Sequence, residues 1–194
     1  KNEEIFNLKQ AISWFTLEGV GKSPSKFDMK KLSFISKKHL VSKPESELKK
    51  SLLEYIKLFK NVNLTETCID RLRQFLPLVT ERCSSLSEIF EAASFLFKSV
   101  TIESKQTLSL LDNRSKKIIK NFIISINSTN LTWEAKHLEE YIKSYCDENN
   151  LKFRDIGVPL RILITGSTSS PSIVHIMEIL GAHEILHRLN IDLN

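Results

Sequence analysis

The sequence predicts an all-α protein, and three observations carry that expectation. Apolar residues recur at spacings of three and four along almost the whole chain, the period of a helix with one buried face. Only "RILIT" (161–165) and "NFIISI" (121–126) have the composition of strands. Each is flanked by helical signals and neither has a partner run, so both read as helix. With only five glycines and five prolines in 194 residues, the connections must also be short.

The elements follow in order. "IFNLKQAISWF" places Ile5, Leu8, Ile12 and Phe15 on one stripe. Asp28 caps "MKKLSFISKKHL", which turns Leu32 and Ile35 inward, with His39 next along that side. "PESELKKSLLEYIKLF" begins with a proline at a helix start and aligns Leu48, Leu52, Tyr55 and Phe59. Two more apolar patterns follow, "CIDRLRQFLPLVTERC" and "LSEIFEAASFLF". Asn113 opens "RSKKIIKNFIISIN", and Thr132 is a suitable N-cap for "WEAKHLEEYIKSYCDENN". "TGSTSSPS" reads as a loop: Gly166 ends one helix, and Ser170 and Pro171 cap and begin the next. Gly181 closes that helix, and a last one packs Ile185, Leu186 and Leu189 inward. "VSKP" (41–44) and "VTIESKQT" (100–107) are the natural boundaries, dividing the chain into 1–44, 45–103 and 104–194.

Composition narrows the function classes. Hydrophobic residues at 41 % and charged residues at 26 % suit a globular protein and not a disordered one. No apolar run approaches the roughly 20 residues that span a bilayer. "KNEEIFNLKQ" is too charged for a signal peptide, and the missing initiator methionine suggests a piece of a longer chain. Cys68, Cys83 and Cys146 form no C-x-x-C pair and no disulfide framework, so they read as packing residues in a reducing compartment. The net charge of +5 is uneven: residues 22–50 sum to +6 and the rest to −1. A basic end on a near-neutral body suits a polyanion such as RNA.

Two motifs invite chemistry. His183-Glu184-Ile185-Leu186-His187 fits H-E-x-x-H, in which two histidines one turn apart bind zinc and the glutamate activates water. Zinc also needs a third protein ligand, and Asp192 is the sole candidate after His187. Without that context the match is weak, and Ile185, Leu186 and Leu189 make the segment a packed terminal helix, so no metal site is expected. "ITGSTSSPS" resembles a phosphate loop only loosely, lacking G-x-x-x-x-G-K-[ST], although the following helix start offers free N–H groups to one anion. No nucleophilic triad can be argued from spacing, so no catalytic residue is assigned.

Three stretches carry a resemblance to a known family. "AISWFTLEGVGKSPSKFDMKKLSFIS" resembles the segment after the catalytic core of bacterial glutamyl-tRNA synthetases, with its K-S-P-x-x-F-D-x-x-K-L element. "FLPLVTERCSSLSEIFEAASFLF" is similar to the family's middle pattern. "VPLRILITGSTSSPSIVHIMEILGAHEILHRL" looks like its terminal signature of P-L-R, T-G, a proline-led helix ending in L-G, and a last helix with R-L. The three occur in the family's order and cover most of the chain. Ser36 departs from a frequent asparagine, and His183 and His187 replace residues more often basic or small.

The resemblance implies the C-terminal, helix-cage type, anticodon-binding part of a class I glutamate–tRNA ligase. Residues 1–44 would end the stem-contact region, and 45–103 and 104–194 would be two helical anticodon-binding subdomains. The H-I-G-H and K-M-S-K-S motifs of the ATP-dependent catalytic domain do not occur here. The fragment therefore needs no cofactor of its own, while ATP and Mg2+ are expected for the full-length enzyme. By position, Arg161 and Ile173 fall where family members touch the anticodon. Arg82 matches an arginine linked to the third anticodon base, and Lys143 is a looser counterpart of another basic contact. Arg82 has an alternative use, pairing with Glu81 or a neighbouring acid. Lys22, Lys26, Lys30, Lys31, Lys37 and Lys38 would meet backbone phosphates of the tRNA. The implied partner is the tRNA for glutamate, with the glutamine tRNA left open, and the implied setting is a cytoplasmic monomer with no membrane contact. A stand-alone helical RNA-binding or scaffold module is the alternative.

Overall fold

In the computed structural model, which describes residues 3–21, 26–98, 100–102 and 104–191, the chain is helical throughout, and no strand occurs among the described residues. The helices are α1 Leu8–Trp14, α2 Met29–Val41, α3 Glu45–Phe59, α4 Glu66–Val79, α5 Leu86–Ala92, α6 Lys105–Ser109, α7 Asn113–Asn127, α8 Ala135–Glu148, α9 Phe153–Thr165 and α10 Ile173–Ile191. "RILIT" and "NFIISI" fall inside α9 and α7, as their flanking signals predict.

The caps explain most boundaries. Asn7 and Gln10 form a capping box on α1, and the Asp28 carboxylate accepts from the amides of Lys30 and Lys31. Thr65 and Ser85 cap α4 and α5 in the same way. Three expected starts shift. Asp112, not Asn113, caps α7, because its carboxylate reaches the Ser115 amide at 2.7 Å. Thr132 caps nothing: half-buried Trp133 packs against the core first, and α8 begins after Glu134. Likewise α10 starts at Ile173 and not Pro171, because the Ser170 hydroxyl is engaged elsewhere.

Packing places the core around α9. Its sequence is apolar on nearly every side, and α7, α8 and α10 surround it. Ile156, Leu160, Ile162 and Ile164 are fully enclosed there. In the other half, α3, α4 and α5 bury Leu52, Ile56, Phe75 and Phe90, and α10 packs across onto α4. The buried ridge of α3 is Leu48, Leu52 and Ile56, one residue over from the expected line. Tyr55 sits at its edge, and Phe59 at the free end is 70 % exposed. On α2, Leu40 is buried, Ile35 is half-buried, and Leu32 and His39 are exposed, since only its C-terminal part packs, against the 3-10 turn Thr80–Arg82. The stripe of α1 buries nothing: Leu8, Ile12 and Phe15 are exposed, and Phe6 packs edge-on against Trp14 instead. Cys83 and Cys146 are buried, as packing residues should be, and Cys68 is half-buried. No described helix is long and apolar enough to cross a membrane.

Arginines close the seam between the halves. Arg188 on α10 donates from Nε to Glu184 at 2.7 Å, from Nη1 to the Ile164 carbonyl at 2.8 Å, and from Nη2 to the Phe95 carbonyl at 2.9 Å. Arg71 on α4 donates to the Leu180 carbonyl at 3.1 Å and stands 3.8 Å from the Glu184 carboxylate.

Gly166 ends α9 in the left-handed region (φ 73°), where a Cβ would lie 3.0 Å from the Thr101 carbonyl oxygen. Gly166→Ala is therefore expected to lower stability by about 1–2 kcal/mol from backbone strain alone. The readout is a fall in the urea midpoint at constant slope. An unchanged midpoint would show that the turn relaxes freely.

Candidate nucleic-acid interface

The site is built where α9, the start of α10 and the 3-10 turn after α4 meet. Gly166 turns the chain out of α9, and the loop 166–172 doubles back over it. The loop's small side chains satisfy one another: the Ser169 amide donates to Ser167 Oγ at 3.1 Å and the Ser167 amide to Thr165 Oγ1 at 3.3 Å. Arg161, about one and a half turns back on α9 and half-buried, ties the far end of the loop. Its Nη1 donates to the Ser170 carbonyl at 2.7 Å, to Ser170 Oγ at 2.5 Å and to the Pro171 carbonyl at 2.6 Å.

Arg82 arrives at the same carbonyl from the other half of the molecule, donating from Nη1 to Ser170 at 3.4 Å. Two residues far apart in sequence thus converge on one backbone oxygen. Each uses a single terminal nitrogen for this, which leaves Nε and Nη2 of both guanidiniums without a hydrogen bond among the described residues. Burial, with the neighbouring charge of Arg82, pushes the Arg161 guanidinium below its ordinary range, although an arginine in this setting stays charged. The expected alternative for Arg82, a pairing with Glu81, does not occur; Arg82 makes no ion pair among the described residues.

Lys37 extends the basic strip. The Ser36 hydroxyl donates to the Ser84 carbonyl at 2.6 Å and holds α2 against the 3-10 turn. That brings the half-buried Lys37 close enough to Cys83 for its charge, with that of Arg82, to oppose the upward push of burial on the thiol. Glu88 adds its charge to that upward push, and its carboxylate accepts the Ser84 amide at 2.6 Å.

The other expected residues are placed differently. Ile173 is 1 % exposed, so it anchors the start of α10 in the core and offers no surface to pack beneath a base. Lys143 lies on α8 and pairs with Glu139 at 2.7 Å, which raises its own affinity for a proton and holds the Glu139 carboxyl down. Lys31 is paired with Glu4 at 2.8 Å, whereas Lys26, Lys30 and Lys38 are exposed without an ion pair among the described residues. Lys38 rests over the Phe34 ring. Lys22 and Asp192 lie outside the described residues.

The H-E-x-x-H segment resolves as structure. His183 and His187 are exposed, and the Glu184 carboxylate is held by Arg188 and Arg71. Burial pushes that carboxyl up, but the Arg188 hydrogen bond and the two guanidinium charges outweigh it and hold it below its usual range. A carboxylate so engaged is a poor base for activating water. Among the described residues no group of three or more His, Cys, Asp or Glu could hold a metal ion. The i,i+4 spacing of Glu184 and Arg188 was a legible signal for this pairing. Nothing in the sequence marks Ser170 as the shared anchor, because the residues it joins are far apart along the chain.

Comparison with known proteins bears on this arrangement. Residues 36–193 match the anticodon binding domain family. The chain is 35 % identical over 193 residues to the glutamate–tRNA ligase of Pelagibacter ubique, covering 97 % of this chain and 40 % of that protein. It is 32 % identical over 191 residues to glutamate–tRNA ligase 2 of Rickettsia felis, covering 98 % of this chain and 41 % of that one. The chain thus spans about 40 % of the length of the curated relatives it matches. Its fold is shared with a glutamate tRNA ligase from Elizabethkingia meningosepticum, at TM-score 0.80 and 19 % identity over 99 % of this chain and 37 % of that one.

Proposed function

Since the chain belongs to the anticodon-binding domain family, we propose that it is the part of a glutamate–tRNA ligase that grips tRNA and reads its anticodon. The observation that carries this is the meeting of Arg82 and Arg161 on the Ser170 carbonyl. A guanidinium fixed through one nitrogen presents its other edge at a set angle, which suits a two-point hydrogen bond to a splayed base or stacking on its face. Lys37 and the exposed lysines of 26–38 supply charge for phosphates. Such contacts set the register of the RNA without reading it. In this reading residues 1–44 adjoin the stem-contact region, and 45–103 and 104–194 form the two anticodon-binding subdomains. Glutamate, ATP and Mg2+ belong to the remainder of the ligase, which works in the cytoplasm as a monomer.

Binding of glutamate tRNA is expected to weaken linearly as the logarithm of salt concentration rises, with a slope of several counterions. Changing the anticodon is expected to cost roughly tenfold or more in affinity, at about 1–3 kcal/mol per lost base contact. Filter binding with glutamate, glutamine and anticodon-swapped tRNAs reads both effects and shows whether the glutamine tRNA is also accepted. Equal affinity for the swapped tRNA would remove base reading from these residues.

A further inference from the structure

We propose that Arg71 is a positioning residue: by gripping the Leu180 carbonyl where α10 breaks, it fixes the Ser170 junction beneath Arg82 and Arg161. The inference rests on the anticodon reading above for its consequence, but on geometry alone for the grip.

The break itself is at Gly181, whose φ of 78° and ψ of 163° are not helical. A helix interrupted in this way leaves carbonyls of its last turn without amide partners. Arg71 Nη2 donates to one of them, Leu180, at 3.1 Å, and stands 3.8 Å from Glu184 on the far side of the break. One guanidinium thus touches both segments. With 19 % of its side chain exposed, Arg71 makes these contacts largely out of water. Nothing lies within 4 Å of where a Gly181 Cβ would be, so close packing of neighbouring atoms there does not enforce the bend.

Arg71 and Arg82 belong to one continuous unit, α4 with its 3-10 turn, and stand about three helical turns apart. Leu180 and Ser170 are separated by a similar length of chain. Arg71 holds Leu180 and Arg82 holds Ser170, so the first segment of α10 is pinned at both ends by the same unit, running antiparallel to it. Between the pins α4 and α10 pack together, each with buried apolar side chains, among them Leu72, Phe75 and Leu76 on α4 and Ile173, Ile176 and Met177 on α10. Apolar contact is non-directional and tolerates sliding. The two arginine-to-carbonyl bonds are directional and fix the register. Of the two, the Arg82 bond is the longer, at 3.4 Å, and lies where RNA would compete for it. Arg71 holds the register when Arg82 turns to a ligand.

The test compares Arg71→Met, which keeps most of the packing volume, with Arg71→Lys, which restores a donor. Amide hydrogen exchange at Ile176–Leu180 and Ala182–Glu184 is expected to accelerate roughly tenfold in Arg71→Met, while Phe122 and Ile123 on α7 keep their rates. Arg71→Lys should recover part of that protection. In tRNA binding, Arg71→Met should lower the preference for the cognate anticodon several-fold with the salt slope unchanged. Exchange at Ile176–Leu180 equal to the unaltered protein would overturn the proposal. So would faster exchange spread evenly over the chain, which marks a merely structural residue. If the unaltered protein shows no anticodon preference, the anticodon reading fails, and the exchange pattern still decides the grip.

Discussion

Arg161→Ala is expected to weaken binding of the cognate tRNA by roughly one to two orders of magnitude, the scale of a lost two-point base contact. The change acts in two ways that experiment can separate. Directly, it removes the open guanidinium edge. Indirectly, it frees the Pro171 carbonyl and the Ser170 hydroxyl and leaves the Ser170 carbonyl to the longer Arg82 bond alone, so the start of α10 loosens. Ser170 is half-buried and Pro171 buried, so water replaces these bonds only in part, and the accompanying loss of stability should be about 1–3 kcal/mol. Arg161→Lys separates charge from shape. It keeps the salt slope, because the positive charge remains, but a lysine cannot present a planar fork. Its affinity should therefore approach that of the alanine variant for the cognate tRNA and match the unaltered protein for an anticodon-swapped one. If Arg161→Ala weakens both tRNAs equally, the arginine serves as a charge and reads nothing.

That prediction needs the structure, and the reason shows what a sequence can carry. Local signals were legible wherever the physics is local. Asp28 capping α2, Gly166 ending α9 in the left-handed region and the break at Gly181 all follow from residues within one turn of the event. The all-helical fold followed from the 3.6-residue period, as α7 and α9 show. Errors arose where a neighbour decides. On α3 two stripes compete, and the one that faces α4 and α5 runs through Ile56, not Phe59. On α1 the stripe is well patterned and yet buries nothing among the described residues. The same division runs through the site. Arg82 and Arg161 are candidates by their position in the resemblance, whereas their shared anchor at Ser170 is a tertiary fact, as is the burial of Ile173. A buried isoleucine and a base-contacting one have the same letter in the same pattern.

Removing Arg188 is expected to be the most damaging single change outside the apolar core. Its side chain is 12 % exposed and satisfies three acceptors, one on each of three elements: Glu184 on its own helix, Ile164 near the end of α9, and Phe95 in the 3-10 turn after α5. Arg188→Ala leaves two backbone carbonyls and a carboxylate short of donors at a seam with little water. Breaking such a buried pair from one side costs about 3–5 kcal/mol. In a chain of this size each kcal/mol moves the melting temperature by about 2–4 °C, so a fall on the order of 10 °C is expected by calorimetry. The pH dependence gives a second, independent check. Glu184 is held below its usual range in the folded protein, so its contribution is complete above the ordinary carboxylate range and fades as the pH falls through its folded value. In Arg188→Ala the main stabilising partner is gone and only the Arg71 and His187 charges oppose the upward push of burial, so the carboxyl protonates at a higher pH than in the unaltered protein and sheds the cost of its charge sooner. The stability gap between the two proteins should therefore narrow on acidification. A gap that stays constant from neutral pH to well below that range would mean that the arginine acts through its two backbone carbonyls alone. Glu184→Gln should then be almost silent, whereas with the ion pair in force it should reproduce a substantial part of the loss at neutral pH.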